Sequence, residues 1–239
     1  GEILSGTLSV RPAENRANTA AVAVTGTRED DTALYIDGVL KVSLGSGDWS
    51  ATVNPDQGEN TLEIWLQDAA GNRSDSIFAD ISVDSVAPAI TTIVPAADSF
   101  LNAPPAAVSI AYTETGSGLN ADACTSSIKD GNQAAVPGAW DFSTPGTAVF
   151  TPASTLADGT YTLAVQLADN FTNKSTSVSR QFTVDTQAPA APVVDPVESP
   201  THNPSQTISG TKEAFAAITL NGTEIAGNTE ATTWQHTVA

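Results

Sequence analysis

Short stretches in which apolar residues alternate with small or polar residues run along almost the whole chain. This period of two is typical of strands with one buried face, and no stretch has a convincing helical period. Clear examples are Ala21–Val24, Thr61–Leu66, Ala107–Tyr112 and Tyr161–Leu167. Asp-Gly and Asn-Gly pairs, which favour tight hairpins, separate the stretches at Asp37-Gly38, Asp130-Gly131, Asp158-Gly159 and Asn221-Gly222. The pattern predicts an all-β protein made of antiparallel β-sandwiches.

A repeated motif divides the chain into units. Asp68-Ala-Ala-Gly-Asn-Arg-Ser74 returns 101 residues later as Asp169-Asn-Phe-Thr-Asn-Lys-Ser175, and the same distance separates each copy from a following Val-Asp-x-x-Ala-Pro. An ungapped repeat of this length indicates a structural unit copied in tandem. Since proline ends a strand ladder, the Ala-Pro pairs are the predicted boundaries. The predicted units are residues 1–87, 88–188 and 189–239.

The third predicted unit is a partial copy of the first. Gly210-Thr-Lys-Glu213 repeats Gly26-Thr-Arg-Glu29, and Trp234-Gln-His-Thr-Val238 corresponds to Trp49-Ser-Ala-Thr-Val53. No counterpart of the strand stretches of residues 61–83 follows, so we expect a sandwich that lacks its last strands in this chain. Either a longer chain continues through this domain, or strands from another chain complete it.

Charge and cysteine content exclude several classes of function. The chain has 27 acidic and 9 basic residues, a formal net charge of −18, which would repel nucleic acid. Hard cations are the natural counter-charges, although an acidic surface also keeps an exported protein soluble. Cys124 is the only cysteine, so no intrachain disulfide and no cysteine-based metal cluster can form. No apolar run is long enough for a membrane span, and Gly1 suggests that the sequence begins inside a longer protein or at the remnant of an expression tag.

The motifs together resemble the bacterial immunoglobulin-like repeats of large surface adhesins. The resemblance covers nearly the whole chain and rests on Asp68–Ser74, Val83–Pro88, Glu114–Leu119, Asp169–Ser175 and Phe182–Pro189. It implies tandem immunoglobulin-like β-sandwiches arranged end to end. It also implies a non-enzymatic, extracellular stalk or adhesin-type array at a bacterial cell surface. Related modules occur in several kinds of surface and secreted protein, so the fold alone does not decide the function.

Acidic residues are expected to converge where one sandwich meets the next. The last strand of such a sandwich leaves at one end, where it meets loops at the entry end of the following unit. The candidate metal ligands are Asp84, Glu114, Asp169 and Asn170 at the first junction, Asp185 and Glu213 at the second, and Glu29 and Asp68 at the first unit's entry end. Calcium takes six to eight such oxygens, and the resemblance implies calcium-stiffened junctions. Alternatively, each hairpin aspartate only accepts hydrogen bonds from its own turn.

Catalytic and ligand-binding groups are sparse. His202 and His236 belong to no motif with a nucleophile, and Cys124 is expected to pack as a small apolar residue, so no enzymatic activity is predicted. Trp49 and Trp234 occupy equivalent strand positions, which favours a packing role. Trp140 is the tryptophan to test for ligand contact, although packing is the stronger interpretation.

The expected partners follow from this picture. They are neighbouring domains of the same longer protein or other chains of a surface assembly, with a glycan or protein receptor left open. Neither nucleic acid binding nor direct membrane insertion is expected. Two alternatives remain: a filament subunit completed by strands from a neighbouring chain, and an accessory module of a large secreted hydrolase.

Overall fold

A computed structural model describes residues 9–11 and 16–238 of the chain, and strands make up nearly all of its regular structure. Contacts divide the chain into two compact units, residues 1–185 and 186–239. The larger unit contains two separate buried clusters of apolar side chains, one within residues 24–83 and one within residues 93–184. The all-β fold class is therefore confirmed, whereas the predicted boundary between residues 87 and 88 stays a prediction.

The first sandwich is built from six strands and a sheet that folds over on itself. Its strands are β1 (Ser9–Arg11), β2 (Arg16–Ala17), β3 (Val22–Ile36), β4 (Val39–Val53), β5 (Gly58–Asp68) and β6 (Ile77–Val83). A break in the β3–β4 register between Arg28 and Thr32 bends this long hairpin. The earlier half of β3 pairs with β1, and the later half pairs with β5. Because side chains of both halves enter one core, the bend closes the sandwich.

The second sandwich consists of two separate four-stranded sheets. Its strands are β7 (Ala89–Val94), β8 (Ser99–Leu101), β9 (Val108–Thr113), β10 (Thr125–Lys129), β11 (Gly138–Asp141), β12 (Thr147–Pro152), β13 (Gly159–Gln166) and β14 (Val178–Val184), with one short 3-10 helix at Ala121–Ala123. One sheet has the order β10-β13-β14-β8, and the other has the order β11-β12-β9-β7. Alternate residues such as Ile110, Phe150, Leu163 and Phe182 point between the sheets and form the core.

In each sandwich, the first two strands pair with different partner strands. In the first sandwich, β1 pairs antiparallel with β3, and β2 then pairs parallel with the end of β6. In the second, β7 pairs antiparallel with β9, and β8 pairs parallel with the end of β14. In each sandwich, the second strand of the chain therefore lies beside the last strand and runs in the same direction.

The smaller unit repeats the strand pairing of the first half of the first sandwich. It contains β15 (Val193–Val194), β16 (Gln206–Thr211), β17 (Ile218–Leu220), β18 (Thr223–Ala226) and β19 (Thr233–Val238). Gly210 pairs with Trp234 as Gly26 pairs with Trp49, and both tryptophans are buried, which fits the packing role predicted for them. Among the described residues, this unit has no counterpart of β5 and β6.

Candidate metal centre

Three acidic side chains meet where the first sandwich passes into the second. Asp84 follows β6, Glu114 follows β9, and Asp169 opens the hairpin that connects β13 with β14. Each places one carboxylate oxygen within 4.8 Å of the others, and this is the one such group of three in residues 9–11 and 16–238. Asp84 is 3% exposed and Asp169 is 0% exposed, while Glu114 is half-buried. Chain segments far apart in sequence thus bring three carboxylates to one partly buried place.

The Asp169 hairpin is organised by its own aspartate. Asp169 Oδ1 accepts hydrogen bonds from the amides of Phe171 and Asn173, at 2.8 and 2.9 Å. Ser175 Oγ accepts a bond from the Leu167 amide at 2.9 Å and thereby closes the base of the hairpin. Such bonds to nearby amides are the typical behaviour of aspartate and serine in turns. The local role predicted as the alternative to metal binding is therefore present, and it fixes the direction of the carboxylate.

The loop after Glu114 brings its backbone against the Asp84 carboxylate. Gly116 has a φ of +131°, and a Cβ built on it would lie 2.7 Å from Asp84 Oδ2. The next amide, that of Ser117, donates to Asp84 Oδ2 at 2.7 Å. Only a glycine allows this approach without a clash. The Thr-Gly-Ser-Gly sequence of the loop is the signal that could have identified this contact.

Asn173 connects the two sandwiches directly and was not among the predicted site residues. Its Nδ2 donates both to the backbone oxygen of Asp84 and to Asp169 Oδ2, at 2.7 Å in each case. The hairpin of the second sandwich is thereby joined to the end of β6. The presence of asparagine in both copies of the repeated motif was the available signal, although it did not distinguish a turn role from a role at the junction.

The tip of the same hairpin also contacts the first sandwich. Phe171 is half-buried, and the guanidinium carbon of Arg16 lies 4.7 Å from the centre of its ring. Asn18 Nδ2 donates to Thr172 Oγ1 at 3.3 Å. The ring of Phe171 thus packs against the first sandwich, with a cation over its face.

The surroundings of the carboxylates shift the pKa values of Glu114 and Asp84 in opposite directions. Burial, followed by the nearby charges of Asp84 and Asp169, raises the pKa of Glu114, and the Gly118 amide offsets this only in part. Burial would also raise the pKa of Asp84, but the side chain and amide of Ser117 and the Val86 amide hold it below its usual value. Within the described residues, the one ion pair closer than 4 Å joins Arg73 to Glu63. No lysine or arginine among the described residues therefore forms an ion pair with these three carboxylates.

Two oxygens at the site are buried without a hydrogen bond of normal geometry, Glu114 Oε2 and Ser117 Oγ. The Ser117 hydroxyl is close enough to favour the ionised form of Asp84, but it does not meet the geometry of a hydrogen bond. A buried polar atom without a partner costs free energy, so the arrangement favours a ligand that binds to oxygen. Carboxylate oxygens that already accept one hydrogen bond retain a lone pair for a cation.

The other predicted ligands have different surroundings. Asn170 is exposed, and its Nδ2 donates to the Ser117 and Gly118 oxygens at 2.8 and 3.1 Å, which holds the Glu114 loop against the hairpin. Asp185 and Glu213 are both exposed and lie in different compact units, and Glu213 Oε2 accepts a bond from the Ala190 amide at 2.9 Å. Neither belongs to a group of three acidic side chains among the described residues.

Glu29 and Asp68 belong to no such group either, but each shares a feature with its counterpart in the second sandwich. Glu29 Oε2 is buried without a hydrogen-bond partner, as Glu114 Oε2 is. Asp68 Oδ1 accepts bonds from the Ala70 and Asn72 amides, at 2.9 and 2.8 Å. The first sandwich therefore repeats the unpartnered glutamate oxygen and the aspartate turn of the second, but no group of three carboxylates is found among its described residues.

Other candidate groups are explained by packing. Trp140 packs against Phe142 and Phe150, with ring centres 5.9 and 5.3 Å apart, in the margin of the second core. Burial raises the pKa of the Cys124 thiol, which lowers its reactivity at neutral pH. Cys124 and Trp140 both adjoin the apolar cluster of the second sandwich, as the packing interpretation of the sequence requires.

Residues 113–186 match the family model of the bacterial Ig-like domain. This match covers most of the second sandwich, including Glu114 and the Asp169 hairpin, and over these residues it confirms the resemblance inferred from the sequence motifs. No curated protein sequence matches the chain significantly. Among the described residues, no helix is both long and apolar enough to cross a membrane.

Several solved structures are similar to parts of the chain. PcoC, a methionine-rich copper resistance protein from Escherichia coli, is 21% identical over 42% of this chain and 100% of its own, with a TM-score of 0.37. The fibronectin(III)-like modules of CbhA from Clostridium thermocellum are 12% identical over 74% and 94%, with a TM-score of 0.37. SGBP-B from Bacteroides ovatus, in complex with a mixed-linkage heptasaccharide, is 18% identical over 99% and 59%, with a TM-score of 0.24. Similarities this low carry no inference about function.

Proposed function

We propose that this protein is a non-enzymatic array of Ig-like units at a bacterial cell surface, acting as a spacer or adhesin stalk whose first junction is stiffened by calcium. The observation that carries the proposal is the meeting of Asp84, Glu114 and Asp169 at the junction, from both sandwiches and with no described lysine or arginine in an ion pair with them. The expected partners are neighbouring units of a longer protein or other chains of a surface assembly.

The chemistry of the site favours calcium over other metals. The candidate ligands are carboxylate and hydroxyl oxygens, whereas copper and zinc prefer sites with nitrogen or sulfur ligands. Magnesium requires a small, nearly regular octahedron, but calcium accepts an irregular set of six to eight oxygens. Water molecules would complete the coordination on the exposed side of Glu114.

The ion would act by linking segments that otherwise repel each other. Asp84 belongs to the first sandwich, whereas Glu114 and Asp169 belong to the second, so one ion bound to all three restrains the angle between them. Binding would also remove the repulsion that raises the pKa of Glu114. Because only the folded junction assembles the three carboxylates, calcium would also stabilise the folded state by mass action.

Two measurements on the same protein test the proposal. Calorimetric titration with calcium chloride, after removal of metal with a chelator, should show saturable binding. Small-angle scattering should show a narrower distribution of angles between the two sandwiches when calcium is present. Glu114→Gln keeps the size of the side chain and removes its charge, so it should weaken binding at least tenfold.

A matched control is available within the second sandwich. Asp130 Oδ1 accepts bonds from the Asn132 and Ala134 amides, both at 2.9 Å, in the same kind of turn as Asp169 but outside the carboxylate group. Asp130→Asn should leave calcium binding unchanged. Absence of binding in the unsubstituted protein, or equal binding by both variants, would contradict the proposal.

A further inference from the structure

The tip of the later hairpin differs from its counterpart in the first sandwich. The tip consists of Phe171 and Thr172, and the constant spacing of 101 residues makes Ala70 and Gly71 their counterparts. Gly71 has a φ of +92°, and Thr172 has a φ of +69°. A β-branched residue in this left-handed region costs free energy that glycine does not. The residue that suits the turn best is therefore absent from the copy that contacts the other sandwich.

Both tip side chains contact the segment around β2 of the first sandwich. The Arg16 guanidinium carbon lies 4.7 Å from the centre of the Phe171 ring, and Asn18 Nδ2 donates to Thr172 Oγ1 at 3.3 Å. Two cavities, of about 330 and 520 Å³, are each lined by residues of both sandwiches, and Arg16 and Phe171 line both of them. The Arg16–Phe171 pair thus bridges a part of the junction that is otherwise loosely packed.

Arg16 has a structural equivalent at the end of the second sandwich. Arg16 of β2 pairs with Ser82 of β6, and Phe100 of β8 pairs with Thr183 of β14, which follows Ser82 by 101 residues. We call Arg16 and Phe100 the exit positions, because each lies beside the strand by which the chain leaves its sandwich. The exit position of the second sandwich therefore carries an aromatic ring, 79% exposed, where that of the first carries a cation.

The residues around the tip and the exit position are constant, whereas the contact residues vary. Asparagine follows each exit position by two residues, as Asn18 and Asn102, and it follows each tip directly, as Asn72 and Asn173. In contrast, the exit position changes from arginine to phenylalanine, and the tip changes from Ala-Gly to Phe-Thr. A surface with constant surroundings and variable contact residues discriminates among partners, because only a matched pair gains the contact.

We propose that the tip and the exit position form a recognition pair that determines which unit can follow which in the array. The aromatic tip of the second sandwich fits a preceding unit with a cation at its exit position, which Arg16 supplies and Phe100 does not. The partner surface is thus the exit end of a particular Ig-like unit. The inference goes beyond the proposed calcium binding, since neither Arg16 nor Phe171 is one of the three clustered carboxylates.

A double-mutant cycle tests the pair, with amide hydrogen exchange of the whole chain measured in the presence of a chelator. The variants are Arg16→Ala, Phe171→Ala and the two combined, and the readout is the opening constant of the second sandwich's core. Phe171→Ala should raise this constant about threefold more in the Arg16 protein than in the Arg16→Ala protein, because the cation over the ring is lost. Alanine is tolerated in this turn, as Ala70 shows in the first copy.

Arg16→Phe tests the discrimination itself, because it places the residue of the second exit position at the first. Its opening constant should agree with that of Arg16→Ala within about twofold. Absence of coupling in the cycle would overturn the proposal. An Arg16→Phe protein as stable as the unsubstituted one would also overturn it, since the tip would then accept either exit position.

Residual dipolar couplings, also measured in chelator, show whether the pair fixes the two sandwiches relative to each other. Both sandwiches of the unsubstituted protein should fit one alignment tensor, and Phe171→Ala should give each sandwich its own. Phe100→Ala is the matched control, because it removes an exposed ring of the same kind from the same sandwich. Separate tensors already in the unsubstituted protein, or equal behaviour of the two phenylalanine variants, would contradict the proposal. Calcium binding is measured separately by calorimetry, so the two proposals can fail independently.

Discussion

The hairpins of residues 68–74 and 169–175 have nearly the same internal hydrogen bonds but different surroundings. In each, the aspartate accepts two turn amides through one oxygen and the asparagine side chain through the other, at 2.7 Å in both copies. In each, a serine hydroxyl accepts the amide eight positions before it, at 2.9 Å. Yet Asp169 is buried, whereas Asp68 is only half-buried.

The difference comes from what each hairpin meets in the folded chain. The later hairpin contacts the end of β6, the Glu114 loop and Arg16, and its asparagine gains a second bond, to Asp84 O. For the earlier hairpin, Asn72 Nδ2 donates only to Asp68 among the described residues. Among the described residues, this local structure therefore contacts a preceding sandwich in the second copy only.

The largest expected effect comes from disturbing the close approach of the Gly116 backbone to the Asp84 carboxylate. Gly116→Ala would place a Cβ within 3 Å of three atoms of the Asp84 carboxyl group and would also strain a φ of +131°. We expect a loss of about 3 kcal/mol in the free energy of unfolding, measured by denaturant titration. Gly159→Ala is the control, because its φ of +149° is equally unfavourable but its Cβ would meet no atom within 4 Å. If both variants lose only about 1 kcal/mol, the contact with Asp84 does not constrain the loop.

A smaller effect is expected from the asparagine of each hairpin. Asn173→Ala removes the bonds to Asp84 O and Asp169 Oδ2, whereas Asn72→Ala removes only the bond to Asp68 Oδ2. Since a typical hydrogen bond contributes about 1 kcal/mol, Asn173→Ala should destabilise the protein by about 1 kcal/mol more than Asn72→Ala. Thermal and denaturant unfolding of the two variants measures the difference. Equal losses would show that the junction bond adds no stability.

The smallest expected effect is on pH dependence. Folding raises the pKa of Glu114 above its ordinary value of 4.5, so the unfolded chain releases this proton at a lower pH than the folded chain. In the presence of a chelator, stability relative to the Glu114→Gln variant should therefore fall as pH rises through 4.5 toward the raised pKa. The lowered pKa of Asp84 acts in the opposite direction and is common to both proteins.

Denaturant titrations of both proteins, from about pH 4 to about pH 7, isolate the contribution of Glu114. Solvent at this partly exposed side chain screens the effect, so the expected change is small. Calcium should abolish it, because the ion offsets the repulsion among the carboxylates. Parallel pH profiles for the two proteins in chelator would mean that neither burial nor the charges of Asp84 and Asp169 raise the pKa of Glu114.

Much of the fold could be predicted because its causes are local. Alternation and Asp-Gly or Asn-Gly turns indicated the strands, and the burial of Trp49 and Trp234 followed from their equivalent positions. Three carboxylates of the site were also predicted, since strand order in a sandwich determines which ends meet. Asn173 and Gly116 were not identified as site residues, because their roles depend on atoms of Asp84 that are distant in sequence.

The sequence by itself determined the local structure of this protein: strands from alternation and hairpins from Asx residues. Only the tertiary structure decided that the hairpin of residues 169–175 is buried beside carboxylates from two segments distant in sequence. The physical reason is that turn hydrogen bonds join residues a few positions apart. Burial and charge repulsion depend instead on the segment that packs against them, and Asp84 fulfils that role for the second copy alone among the described residues.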